Sequence, residues 1–128
     1  MATNSTSKKT LYARLGGYDT IAAIVDEFLQ SLSTHPQMAR FSASMNLESR
    51  KRNRQLTLDY LAAASGGPTL YLGKDMKPAH AGLGISASDW KIAMDHIERA
   101  LAKLKVPKRE SKEVLAIFDA LKDEIVEH

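Results

Sequence analysis

One interruption constrains this 128-residue chain more than any other feature. Residues 66–85 read GGPTLYLGKDMKPAHAGLGI and hold five of the seven glycines (Gly66, Gly67, Gly73, Gly82, Gly84) and two of the four prolines (Pro68, Pro78). In a helix interior glycine costs about 1 kcal/mol and proline about 3 kcal/mol relative to alanine, so no long helix crosses this stretch. Helical patterns flank it on both sides, and a long loop in such a chain has to go around something. The segment carries a single histidine, His80. Pro78 suits the first turn of a very short helix around it. Gly82 and Gly84 then end that helix and let the backbone pass close to a flat object.

The rest of the chain predicts an all-α fold. A turn or two of helix over residues 11–15 is stopped by Gly16-Gly17. Asp19 or Thr20 is expected to cap a helix over residues 20–33, with Ile21, Ile24, Val25, Phe28 and Leu32 as its buried stripe and Leu29 beside it. Thr34-His35-Pro36 breaks it, and a short helix over residues 36–40 turns Met38 and Phe41 inward. The next helix, residues 46–65, begins basic (Arg50, Lys51, Arg52, Arg54) and ends at Gly66-Gly67-Pro68. Beyond the loop, Ser86 and Asp89 form a capping box for a helix reaching about Lys105. A last helix is expected over residues 108–127, with Val114, Ile117, Phe118, Leu121 and Ile125 facing the core.

Composition narrows the function. With no cysteine there is no disulfide and no thiolate metal site, which suits a cytoplasmic protein. No apolar run approaches the length of a membrane span. Residues 1–10 are polar and read as a disordered lead-in to one domain over residues 11–127. The 18 basic and 15 acidic residues are too balanced to argue for nucleic acid. The cluster Arg50-Lys51-Arg52-Arg54 lacks the interleaved aromatics of a nucleic-acid surface. It reads as a solvated face or as a partner for carboxylates.

Four histidines are present. His128 is terminal, His35 sits in a Thr-His-Pro corner, and His96 lies beside an apolar helical stripe where a structural role is the simpler reading. On residue type alone, His80 is either an ordinary loop histidine or a metal ligand. As a ligand it would use one ring nitrogen and need an oriented acceptor, such as a carbonyl, for the other.

Several separated motifs resemble, in the right order, the group I truncated haemoglobins, short globins with a two-over-two helical sandwich. They are Leu11-Tyr12-Ala13-Arg14-Leu15-Gly16-Gly17, Val25-Asp26-Glu27-Phe28, Gly66-Gly67-Pro68 and Met76-Lys77-Pro78-Ala79-His80-Ala81-Gly82-Leu83-Gly84-Ile85. The resemblance implies haem b (iron protoporphyrin IX) as cofactor and His80 as its proximal iron ligand. It also implies that Phe28, Phe41, Tyr71, Met76, Ile85 and Trp90 pack around the haem. Lys77 and Lys74 are candidates for its propionates, as is the basic cluster.

On the distal side the chain departs from that pattern. Group I members commonly carry a tyrosine directly after the phenylalanine matched by Phe28, and its hydroxyl donates to bound oxygen; here Leu29 stands there. They often carry a glutamine at the position of Thr57, with Gln55 on another face and Asn53 one turn earlier. The pocket is expected to be less polar than usual unless Asn53, Gln55, Thr57 or Tyr60 turns in, and oxygen release correspondingly faster. No histidine lies between Pro36 and Pro78, so the distal helix supplies no second imidazole.

The first functional reading is therefore reversible binding of oxygen and other diatomic gases (O2, NO, CO) by a monomer, with oxygen transport the usual label. An alternative is nitric oxide dioxygenase activity with an electron-donating reductase. A second alternative is a haem-free helical module whose basic face meets an acidic partner.

Overall fold

The computed structural model describes residues 9–127. They form α1 (Leu11–Leu15), α2 (Tyr18–Thr34), a 3-10 turn (Ala39–Phe41), α3 (Leu47–Ala64), α4 (Met76–His80), α5 (Ala87–Lys103), α6 (Lys108–Asp119) and α7 (Lys122–Ile125). No strand occurs among the described residues. The lead-in expected over residues 1–10 lies mostly outside them. Thr10 does not belong to it: its hydroxyl accepts the Ala13 N–H at 3.1 Å and caps α1.

Several helix ends follow from local chemistry. Asn46 caps α3 through the Ser49 N–H at 2.8 Å. The capping box of α5 is complete, with Ser86 Oγ accepting from Asp89 N–H at 3.1 Å and Asp89 Oδ2 accepting from Ser86 N–H at 2.9 Å.

Three expectations change. α2 has Gly17 as its cap, not Asp19 or Thr20, because Gly16 (φ 109°) and Gly17 (φ 86°) reverse the chain so tightly that helix resumes at Tyr18. Asp19 sits instead in the first turn, where its charge complements the helix dipole. The short helix expected over residues 36–40 is a turn followed by the 3-10 segment, with Met38 buried. The last helix is broken after Asp119. Leu121 N–H bonds the Phe118 carbonyl at 2.9 Å, a tighter turn than α-helix allows, and this brings Leu121 and Ile125 against Trp90.

Helix α2 packs on α3 and on α5, α5 packs on α6, and α1 closes one end against α2 and α6. The arrangement is the two-over-two sandwich. Its core is built by Ile21, Ile24 and Val25 of α2, Leu58 and Leu61 of α3, Leu101 of α5 and Val114 of α6. The diglycine makes the α1–α3 junction possible. A Cβ on Gly67 would lie 2.5 Å from the Tyr12 ring and 2.9 Å from the Ala62 carbonyl oxygen. The long helices are thus divided along their length. The first half of the α2 stripe is core, whereas Phe28, Leu29 and Leu32 line a cavity. α5 runs the other way, from Trp90 and Met94 at the cavity to Leu101 in the core.

Candidate functional site

The cavity has a volume of about 860 Å³, within the range of small-molecule and cofactor sites. α2 contributes Phe28 and Leu29, α3 contributes Asn53, Thr57 and Tyr60, and α4 contributes Met76 and His80. Ile85 and Trp90 line it where the chain enters α5, and Tyr71 closes it from the loop. The Tyr71 ring meets Tyr60 edge to face at 5.2 Å, and its hydroxyl donates to the Lys74 carbonyl at 2.6 Å. Phe28 packs against Phe118 with ring centroids 6.3 Å apart.

His80 is the last residue of α4, half-buried, with Nδ1 2.9 Å from the Met76 carbonyl oxygen. A carbonyl can only accept, so Nδ1 carries the hydrogen and Nε2 keeps its lone pair. That is the tautomer a metal ligand needs, with its second nitrogen anchored. The acceptor required on chemical grounds is supplied one helical turn back.

On the α2–α3 wall, hydrogen-bond donors are largely committed elsewhere. Thr57 Oγ1 donates to the Asn53 carbonyl at 2.8 Å. Gln55 bonds Asp59 at 2.9 Å and does not line the cavity. Arg54 forms a two-pronged pair with Asp26, at 2.5 and 3.0 Å. Arg50 bonds the Ser42 and Met45 carbonyls at 2.8 and 3.3 Å. Burial pushes the Tyr60 phenol up from its ordinary value, so it stays neutral. Asn53 is exposed at the cavity edge and makes no side-chain hydrogen bond among the described residues.

Every site residue expected from the sequence lines the cavity except Lys77. Lys77 is exposed on α4, and Lys74 also lies outside the lining. Of the basic cluster, Arg50 and Arg54 reach the cavity, while Lys51 and Arg52 are exposed away from it. His96 packs at the edge of the His35 ring, with centroids 5.3 Å apart, and burial lowers its pKa.

The structure adds Asp89, whose sequence signal was only its capping role. Its buried carboxylate receives Arg40 Nη2 at 2.6 Å and Gln37 Nε2 at 2.7 Å as well as the Ser86 N–H. The Arg40 guanidinium, ahead of the other donors, holds the Asp89 pKa well below the usual carboxylate range. The same guanidinium lies 4.1 Å from the Phe41 ring centroid. The pair therefore fastens the 3-10 turn, with Phe41, to the start of α5 at the cavity edge.

A two-over-two helical sandwich around an apolar cavity, served by one anchored imidazole, defines a short globin. A profile of the bacterial-like globin family matches residues 10–127. The group 1 truncated haemoglobin of Mycolicibacterium paratuberculosis is 30% identical over 116 residues, covering 91% of this chain and 83% of that protein. Truncated haemoglobin of Tetrahymena pyriformis in its Fe(III) form superposes with a TM-score of 0.85 at 21% identity, covering 94% of this chain and 100% of that one. The 2/2 haemoglobin of a Synechococcus species, cyanomet with covalently attached haem, gives a TM-score of 0.83 at 20% identity, covering 92% and 98%. At those identities the two structural likenesses are of fold. The chain belongs to the bacterial-like globins, as a group 1 truncated haemoglobin. Members of this group are haem b proteins that bind diatomic gases reversibly.

The cavity fits that cofactor by its own chemistry. It offers one imidazole with a free Nε2, apolar and aromatic walls for a flat ring, and the Arg50 guanidinium at its edge.

Proposed function

We infer that this chain holds haem b in the 860 Å³ cavity, with His80 Nε2 as the iron ligand, and binds oxygen and other diatomic gases reversibly. The observation that carries this is the His80 Nδ1 contact of 2.9 Å to the Met76 carbonyl, which presents the ring in a ligating tautomer. The haem iron supplies the bond to the gas, and the chain's residues set access, orientation and polarity. Met76, Ile85 and Trp90 support the ring from the His80 side, where they pack with Leu121 and Ile125. Phe28, Leu29 and Leu32 form the gas-facing wall. Phe41 holds the ring's edge through the Arg40–Asp89 pair, and Arg50 is the propionate partner at the mouth. Lys77 is a propionate partner only if its side chain swings inward.

The gas-facing wall supports a weak hold on oxygen. Leu29 has no donor, the Thr57 hydrogen is turned to a backbone carbonyl, and the uncommitted amides there are those of Asn53 and Gln30, both exposed at the cavity edge. The resulting proposal is a monomeric carrier that releases oxygen quickly, in a reducing compartment that suits a cysteine-free chain. The test is reversible oxygenation of the reduced haem-loaded protein followed by absorption. The expected result is repeated cycling with fast release. Immediate oxidation on mixing with oxygen, without a spectrally distinct oxygenated form, contradicts the reading.

A further inference from the structure

His80 sits on a helix that cannot hold itself in place. α4 is five residues long, has no side-chain cap and buries none of its residues, and so short a helix has little stability of its own. The chain after it, residues 81–83, is exposed. Gly82 and Gly84 there take left-handed conformations, with φ of 82° and 69°.

Their N–H groups converge on one side chain. Gly82 N–H donates to Glu127 Oε2 at 3.0 Å, and Gly84 N–H donates to Glu127 Oε1 at 2.7 Å. Left-handed residues of this kind gather N–H groups into an anion-binding concavity. Here the anion is a carboxylate from near the other end of the domain. The Glu127 N–H donates in turn to the Ile85 carbonyl at 2.8 Å. Three bonds thus grip residues 82–85 directly behind the histidine, and Ile85 itself lines the cavity. Glu127 follows closely on α7, which packs against α4.

We propose that Glu127 is a positioning residue for the iron ligand: its carboxylate locks residues 82–84, beside the backbone bond to Ile85, and so fixes the height and tilt of His80. The proposal rests on the reading of His80 as that ligand. Without the clamp, the two glycine N–H groups turn to water, the loop frays, and the imidazole keeps only its bond to Met76. Groups that orient a metal ligand from behind typically change metal affinity about 10- to 100-fold when removed.

The test uses the haem-loaded full chain. Glu127→Ala is expected to speed haem transfer to an excess of an apo-globin acceptor about tenfold, and to shift or broaden the iron–histidine stretching band of the reduced protein. Glu127→Gln keeps one carbonyl acceptor and falls between wild type and Glu127→Ala. It decides the matter if Glu127→Ala does not fold. Asp123→Ala, on exposed α7 surface outside the clamp, is expected to match wild type. In the haem-free protein, amide exchange at Gly82 and Gly84 is expected to accelerate in both Glu127 variants. Folded Glu127 variants with wild-type haem loss and an unmoved iron–histidine band overturn the proposal. A wild-type chain that takes up no haem overturns the ligand reading instead, and amide exchange still tests the clamp.

Discussion

Leu29 is the residue through which the gas-facing wall is most directly altered. Leu29→Tyr places a phenol hydroxyl on that wall, beside Phe28 and across from α3. The magnitude follows from which donors are already spent. Thr57 gives its hydrogen to the Asn53 carbonyl at 2.8 Å, Arg54 is held by Asp26, and Arg50 is held by two carbonyls. A tyrosine would therefore add a donor where the wild type has only the Asn53 and Gln30 amides at the cavity edge, the Tyr60 phenol being packed toward Trp90. A neutral hydrogen bond contributes about 0.5–1.5 kcal/mol net, and each 1.4 kcal/mol is about a factor of ten. Leu29→Tyr is thus expected to slow oxygen dissociation by about 2- to 12-fold. The assay is stopped-flow displacement of oxygen by carbon monoxide. Leu29→Phe is the control, since it adds the ring without the hydroxyl and is expected to stay close to wild type. Dissociation from Leu29→Tyr within the error of Leu29→Phe would refute the argument that this wall is short of donors.

Asp89→Ala removes a buried carboxylate with charged and neutral partners, and at about 1.5–3 kcal/mol per charged hydrogen bond, discounted because Arg40 is half-exposed, the loss is about 3 kcal/mol. For a chain of this size that lowers Tm by about 10 °C, read by thermal circular dichroism; an unchanged Tm contradicts it. Because the folded pKa of Asp89 is depressed, its contribution is fully present above the unfolded carboxylate value of about 3.9 and is lost as pH falls below it. Acid titration of stability is accordingly expected to be steeper for wild type than for Asp89→Ala below about pH 4 and parallel from pH 5 to 8. Gly67→Ala forces a Cβ to within 2.5 Å of the Tyr12 ring and 2.9 Å of a backbone oxygen, and is expected to cost about 1–3 kcal/mol in denaturant unfolding. Equal midpoints for Gly67→Ala and wild type would show that the α1–α3 junction yields freely.

Much of the fold was legible because the decisive signals are local. The Ser86–Asp89 box and the two diglycines are each set by residues within four positions of one another, and the helices begin or end where those signals stand. The helix of His80 was legible as a short one, since Pro78 falls in its first turn and Gly82 and Gly84 follow shortly after its end at His80. What the sequence hid depends on contacts across the chain. The break after Asp119 leaves the helical spacing of Val114, Phe118, Leu121 and Ile125 undisturbed, and only the packing of Leu121 and Ile125 against Trp90 accounts for it. Asp89 announces itself as a cap, yet its partner Arg40 lies 49 residues away. Glu127 looks like a solvated terminal charge until its carboxylate is found on Gly82 and Gly84. Among the cavity residues, type and spacing alone could not separate Phe28 or Trp90 from ordinary core. The resemblance to known globins is what singled them out, and of the residues it pointed to Lys77, with Lys74, lies outside the cavity lining.

The central claim is that His80 holds a haem iron in this cavity. Absorption spectra of the oxidised, reduced and carbon-monoxide forms, taken for wild type and His80→Ala after haem titration, test it most directly. Wild type is expected to bind one haem, with a Soret band that sharpens and shifts on adding carbon monoxide, and no bis-histidine signature in the oxidised form. His80→Ala is expected to lose that band or to recover it only with added imidazole. A His80→Ala protein whose spectra match wild type in all three states would contradict the account.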